Sequence, residues 1–219
     1  MALVGMLPLL ASCEPDKKPM NDHPAAVPSV PENAEIATLG AGCYWCIEAA
    51  LRQIDGVYSV TSGFMGGHVP NPTYEDVCGG ESGHAEVVRV VFDPKKTTFA
   101  KLLEWFWKLH DPTTLNRQGN DVGTQYRSAV FVRTPEQKKI VEAVIDEVNK
   151  AKIWPRKIVT TIEPFKAYYA AEEYHQNYFK KYEDPNNQQK STMNRGYCAL
   201  IIAPKVAKFR KMYKDKLKK

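Results

Sequence analysis

Residues 85–92 read Ala-Glu-Val-Val-Arg-Val-Val-Phe, and no other segment limits the fold so tightly. Valine side chains are stiff at χ1 and suit a packed, pleated surface better than a helix. The segment is therefore predicted to be a strand. Other runs repeat the theme: Ala34–Leu39, which runs into the turn Gly40-Ala41-Gly42; Val57–Phe64, closed by Gly66-Gly67; Ser128–Arg133; and the β-branched run Ile158–Ile162.

Between these runs the apolar spacing changes from two to about 3.6 residues. Ile47, Leu51 and Ile54 share one helical face, with Gly56 as the stop. Phe99, Leu102, Leu103, Phe106 and Leu109 mark an amphipathic helix, which places Trp105 and Trp107 in a core rather than on a binding surface. Thr134-Pro135-Glu136-Gln137 looks like a helix start, with Thr134 as cap and Gln137 at the capping-box position. Ile140, Val141, Val144, Ile145 and Val148 continue that helix. Ala170–Tyr182 is expected to be helical, 184–197 a polar coil, and the basic tail a final helix. Loops are expected at 68–83 and 111–126. The order of elements implies a two-layer α+β domain, helices packed on a mixed sheet.

At 219 residues the chain is long enough for one domain with a substantial core. Its 43% hydrophobic and 25% charged content are ordinary for a globular protein. The net charge of +5 comes partly from eight Lys and Arg between Lys205 and Lys219. No base-stacking aromatics are interleaved with them, so the tail reads as a solvated helix face and not a nucleic-acid site.

The N-terminal residues are of another kind. Met1–Cys13, MALVGMLPLLASC, is apolar and uncharged, too short to span a bilayer but of the length of a secretory apolar segment. Leu10-Ala11-Ser12-Cys13 resembles a bacterial lipoprotein processing box, with Cys13 as the lipidated residue. Residues 1–13 are thus expected to be a signal segment, 14–33 a disordered tether, and 34–219 a single domain. The expected location is exported and membrane-anchored. No basic residue precedes the apolar run, and the alternative is a cytoplasmic protein.

Five cysteines, Cys13, Cys43, Cys46, Cys78 and Cys198, are an odd number without regular spacing. That argues against a disulfide framework and for chemistry. Cys43 follows Gly40-Ala41-Gly42 and opens the first helix, where unpaired N–H groups and the helix dipole favour a thiolate. With Cys46 it forms a CxxC. A redox or nucleophilic pair, a buried apolar pair and a metal site all fit that motif. A second paired cluster, which zinc would need, is missing. Cys78 reads as a buried small hydrophobe, and His84 and His175 as hydrogen-bonded structural groups.

Five stretches carry more than a fold: GAGCYWC at 40–46, TYEDVCGGESGHAEVV at 73–88, HDPTTLNRQGNDVGTQYRS at 110–128, AEEYHQNYF at 171–179, and GYC at 196–198 leading into IIAPKVAKFRK. In this order the chain resembles methionine sulfoxide reductase A from about Ala34 to Lys211. The resemblance implies an α+β two-layer sandwich with a mixed sheet, a ferredoxin-like core and a long C-terminal coil. It also implies a role for each matching residue. Cys43 attacks the sulfoxide sulfur, Glu86 protonates the oxygen, and Tyr74 and Tyr126 donate hydrogen bonds to it. Asp121 organises the polar side of the pocket, and Tyr44 and Trp45 cradle the substrate methyl. Cys198, in a mobile coil, resolves the sulfenic acid on Cys43, with Cys46 as the alternative resolving thiol. Thioredoxin or a similar dithiol then recycles a monomeric enzyme that needs no metal or flavin.

The chemistry agrees with those roles. A sulfoxide oxygen leaves only when protonated, so the acid must keep its proton near neutral pH, which burial achieves. A sulfenic acid condenses readily with a second thiol. Tyr44 stands where the family usually has Phe, and its hydroxyl is expected to reach solvent.

Overall fold

A computed structural model describes residues 24–219. In chain order its elements are β1 (Glu35–Ala41), α1 (Tyr44–Leu51), β2 (Val57–Met65), α2 (Tyr74–Cys78), β3 (Ala85–Phe92), α3 (Phe99–Leu109), β4 (Arg117–Gln118), β5 (Asp121–Val122), β6 (Ser128–Val132), α4 (Pro135–Lys150), β7 (Thr161–Pro164), β8 (Tyr169–Ala170), α5 (Tyr178–Glu183), α6 (Arg195–Tyr197) and α7 (Ala203–Met212). Six strands form one mixed sheet in the order β7-β6-β1-β3-β2-β8, and β4 pairs with β5 in a small hairpin. The central four strands with α1 and α3 have the ferredoxin-like β-α-β-β-α-β connection. Only β6 and β7 run parallel.

The valine-rich strand β3 lies inside the sheet, between β1 and β2, and every residue of it is buried. Its side chains alternate. Val88, Val90 and Phe92 join the main core with α1 and α3; Ala85 and Val87 face the rear with Met65, Ala129 and Phe131. No helix is needed on that rear patch, because Phe165 and Tyr168 from the chain between β7 and β8 cover it. Both faces are dry, which is why the strand reads as a continuous apolar run. Glu86 shares the parity of Val88 and points to the helical side.

Several expected elements differ from those formed. Helix α1 was expected to bury one face, yet all eight of its residues are buried. The sheet takes one side, and α5 and α7 take another. The loop at 68–83 contains α2, started by a full capping box between Thr73 and Asp76. The loop at 111–126 contains the β4–β5 hairpin and a 3-10 turn, Thr124–Tyr126. Thr134 caps α4 as expected, accepting from Gln137 N–H at 3.2 Å. The Gln137 side chain does not close the box; it accepts from Arg133 N–H instead, at 2.9 Å.

The C-terminal third departs most. Instead of a helix over 170–182, Tyr169–Ala170 pairs with β2, a 3-10 turn covers Glu173–His175, and α5 begins only after Asn177, which is left-handed at φ 56°. The α5 start is capped from outside: Glu48, buried in α1, accepts from Asn177 N–H at 2.7 Å and Tyr178 N–H at 3.3 Å. The expected coil at 184–197 holds short turns, and the tail is not a free helix. Ile54 bridges Leu217, and Lys216 C=O accepts from Asp55 N–H at 2.8 Å. The end of the expected tether is also fixed, because Pro24 bridges Glu172 and Ala25 N–H donates to Ala171 C=O at 3.0 Å. The expected signal segment and residues 14–23 lie outside the described residues. Among the described residues no helix is long and apolar enough to cross a membrane.

Candidate active site

Cys43 occupies the N-cap of α1, at the end where β1 leaves the sheet. The turn before it demands glycine. Gly42 sits at φ +79°, and a Cβ there would lie 2.5 Å from the Gln118 side chain. The sheet register brings the other groups to the same end. Ala41 pairs with Ser128, so Tyr126 arrives just ahead of that pairing; Phe64 pairs with Glu86, at the start of β3. The β4–β5 hairpin delivers Asp121.

Glu86 is buried, and one carboxyl oxygen accepts from Tyr44 N–H at 3.0 Å. That N–H belongs to the first turn of α1 and lacks a partner within the helix. Two effects oppose each other at this carboxyl. Burial drives it toward the neutral acid, while the N–H bond favours the anion. Burial wins: the Glu86 pKa stands well above the ordinary carboxylic range, with Asp121 and Cys46 adding to the rise.

Cys43 and Cys46 occupy the N-cap and the third helical position, the pair that a helix start brings together. Their side chains are hydrogen-bonded to each other. Burial pushes the Cys43 thiol well up, and Cys46 and Asp121 push it further. The negative charge of the pair belongs to Cys46. The Cys43 hydrogen bond overcomes burial there, Lys205 and Tyr197 assist, and Cys46 titrates at about 7. The dipole argument that favoured a thiolate at Cys43 is therefore outweighed by burial and by the neighbouring Cys46.

Tyr44 and Trp45 belong to a buried aromatic cluster. Trp45 stacks on Tyr178 at 3.8 Å between centroids and 5° between planes. The Tyr44 hydroxyl is buried without a hydrogen-bond partner and does not reach solvent. Phe64 and His175 flank its ring at 5.9 and 5.5 Å. Tyr74 lies 4.3 Å from His175, and its N–H donates to Glu172 at 2.9 Å. His84 is hydrogen-bonded as expected, accepting from Gly67 N–H at 3.1 Å. His175 is not: both ring nitrogens are buried without a hydrogen-bond partner, and burial holds its pKa well below the ordinary value. Cys198 is fully buried at the start of a helical turn packed on α1, not in a mobile coil. Cys78 is half-buried rather than fully buried.

Two site residues had no assigned role in the sequence reading. Tyr197 O–H donates to Asp121 at 2.6 Å. Lys205 reaches Cys46, its Nζ 3.8 Å from the sulfur. Both lay in quoted stretches, but Lys205 was hidden among the basic residues of a tail read as solvated. Among the described residues no group of three or more His, Cys, Asp or Glu is placed to hold a metal.

The family model described as peptide methionine sulfoxide reductase matches residues 35–217. A peptide methionine sulfoxide reductase MsrA of Saccharolobus solfataricus is 50% identical over 184 residues, 84% of this chain and 97% of that protein. One from Deinococcus radiodurans is also 50% identical over 184 residues, 84% of each chain. Among solved structures, methionine sulfoxide reductase A of Corynebacterium diphtheriae matches with TM-score 0.62 and 39% identity, over 69% of this chain and 76% of that one. Mxr1 from Saccharomyces cerevisiae in reduced form matches with TM-score 0.63 and 38% identity, over 69% and 87%. A match that opens with β1 and closes beyond the helix carrying Lys205 takes in every side chain of this site, and the chain belongs to the peptide methionine sulfoxide reductase family.

Proposed function

We propose that this oxidoreductase reduces the S epimer of methionine sulfoxide, free and in proteins, with Cys43 as nucleophile and Glu86 as the acid. The observation that supports the reading best is the buried Glu86, kept protonated beside the N-terminus of α1 and the cysteine pair. Cys43 gives up its proton within the hydrogen-bonded pair and attacks the sulfoxide sulfur. Glu86 donates its proton to the oxygen. The protonated oxygen then passes from the methionine sulfur to the Cys43 sulfur, forming an S–O bond there as the old S–O bond and the sulfur–sulfur bond to methionine break. Methionine departs and Cys43 is left as a sulfenic acid. Tyr74 and Tyr126 orient the oxygen, Asp121 with Tyr197 orders the polar side, and Tyr44 and Trp45 supply the aromatic wall for the methyl group.

A second thiol, Cys198 or Cys46, then condenses with the sulfenic acid and releases water. An external dithiol such as thioredoxin reduces the disulfide by exchange. This cycle consumes no bound cofactor. Further proposals are that the enzyme works as a monomer, and that Cys13 carries a lipid anchor.

The test is a single turnover: reduced enzyme is mixed with excess methionine sulfoxide and no external reductant. One methionine per chain is expected from the intact protein and none from Cys43→Ser. Methionine released by Cys43→Ser at the wild-type rate overturns the assignment.

A further inference from the structure

Lys205 is largely buried, although lysine is among the side chains least often found inside. Two neighbours hold it there. Val206 and Phe209 anchor α7 in the core, each 1% exposed, and Pro204 starts that helix with a fixed φ. A buried ammonium without an anion costs several kcal/mol, so its location calls for a negative partner. The group within reach is the Cys46 sulfur at 3.8 Å.

We propose that Lys205 is a positioning residue for the second half of the reaction: its ammonium holds Cys46 as the thiolate that resolves Cys43. This rests on Cys43 being the sulfur that takes the oxygen. The remaining step balances without an added reagent. The Cys46 sulfur attacks the Cys43 sulfur, the S–S bond forms and the S–O bond breaks. The departing hydroxide takes up the proton that Cys46 lost on ionising and leaves as water. Both cysteines end oxidised, and the sulfoxide has been reduced.

The charges around Cys46 are consistent with this. Cys43 at the N-cap of α1 donates to it, Lys205 on α7 attracts its charge, Tyr197 on α6 assists, and Asp121 on β5 opposes it, while Glu86 on β3 faces it as the neutral acid. Burial pulls the Lys205 pKa down, but Cys46, Cys43 and Asp121 outweigh burial and leave it above the ordinary lysine value. The ammonium is therefore charged wherever the thiolate exists. Proximity favours the same assignment, since Cys43 and Cys46 already share a hydrogen bond.

The experiment uses the full chain with Cys198→Ser, so that Cys46 is the resolving thiol left beside Cys43. Methionine formation and loss of free thiol are followed together after mixing with methionine sulfoxide, and thiolate absorbance at about 240 nm is titrated in the resting enzyme. Lys205→Met is expected to raise the first thiolate midpoint by about one unit or more and to slow thiol loss roughly tenfold near neutral pH. The deficit should disappear about two pH units higher, where Cys46 ionises unaided. Lys205→Arg should restore both readings, which a merely structural lysine would not require. An unshifted midpoint and an unchanged rate of thiol loss in Lys205→Met overturn the proposal while methionine is still formed. If no methionine forms in the parent protein, the functional reading itself has failed.

Discussion

At the scale of single residues, the site is a set of charges decided by burial. Glu86 is the clearest case, because its one favourable N–H bond does not offset the loss of water. An acid with a raised pKa works below that pKa, so turnover of the first step should fall as pH rises through it. Glu86→Gln keeps the shape and removes the proton. We expect it to lower the rate of methionine formation by about 10²–10⁴-fold and to abolish the alkaline decline. A pH–rate profile of the single turnover checks this, and a profile unchanged in Glu86→Gln would remove the acid role. The positions of Cys43, Cys46, Glu86, Tyr74, Tyr126 and Asp121 were legible because they sit in specific motifs. The ionisation of the cysteine pair was not, since the dipole at a helix start is visible in a sequence and the depth of burial is not.

At the scale of elements, α1 shows how the parts depend on one another. An isolated amphipathic helix hides one stripe. This one is enclosed on all sides, and its Glu48 carboxyl caps a helix more than a hundred residues later. Burial raises the Glu48 pKa to about 7, against the two N–H bonds that favour the anion. The sign follows from linkage. The folded state holds the proton more tightly than the unfolded chain, so this stability is present at low pH and is lost as pH rises from about 4.5 to about 7. The loss amounts to roughly 3 kcal/mol at most. Urea unfolding across that range should show the wild type losing stability relative to Glu48→Gln; parallel curves would count against a buried, protonated Glu48. Strands β1, β2, β3 and β6 and helices α3 and α4 were legible from local pattern. The helix expected over 170–182 was not formed, because Tyr169–Ala170 serves β2 and α5 takes its cap from α1. Neither partner is near in sequence.

At the scale of the whole molecule, one end of the chain packs against the site and the other bears on the proposed anchoring. The C-terminal segment returns over α1 and contributes Tyr197, Cys198 and Lys205. At the other end, docking of Pro24 and Ala25 against Glu172 and Ala171 shortens the proposed tether to residues 14–23. Ten residues reach at most about 35 Å, so a lipid on Cys13 would hold the domain close to the bilayer. Mass spectrometry of the protein from its native host is expected to find Cys13 as an acylated first residue. An unprocessed Met1 would end that proposal.

The sequence by itself determined the strand-rich α+β core and named the proposed reacting groups, because apolar periodicity is a local property of a chain and the motifs that carry the family resemblance are contiguous. Tertiary structure alone decided which sulfur carries the charge, that a lysine from the basic tail meets it, and that the C-terminal third wraps rather than dangles. Those outcomes depend on desolvation and on partners more than a hundred residues apart, and neither quantity is encoded in any single stretch.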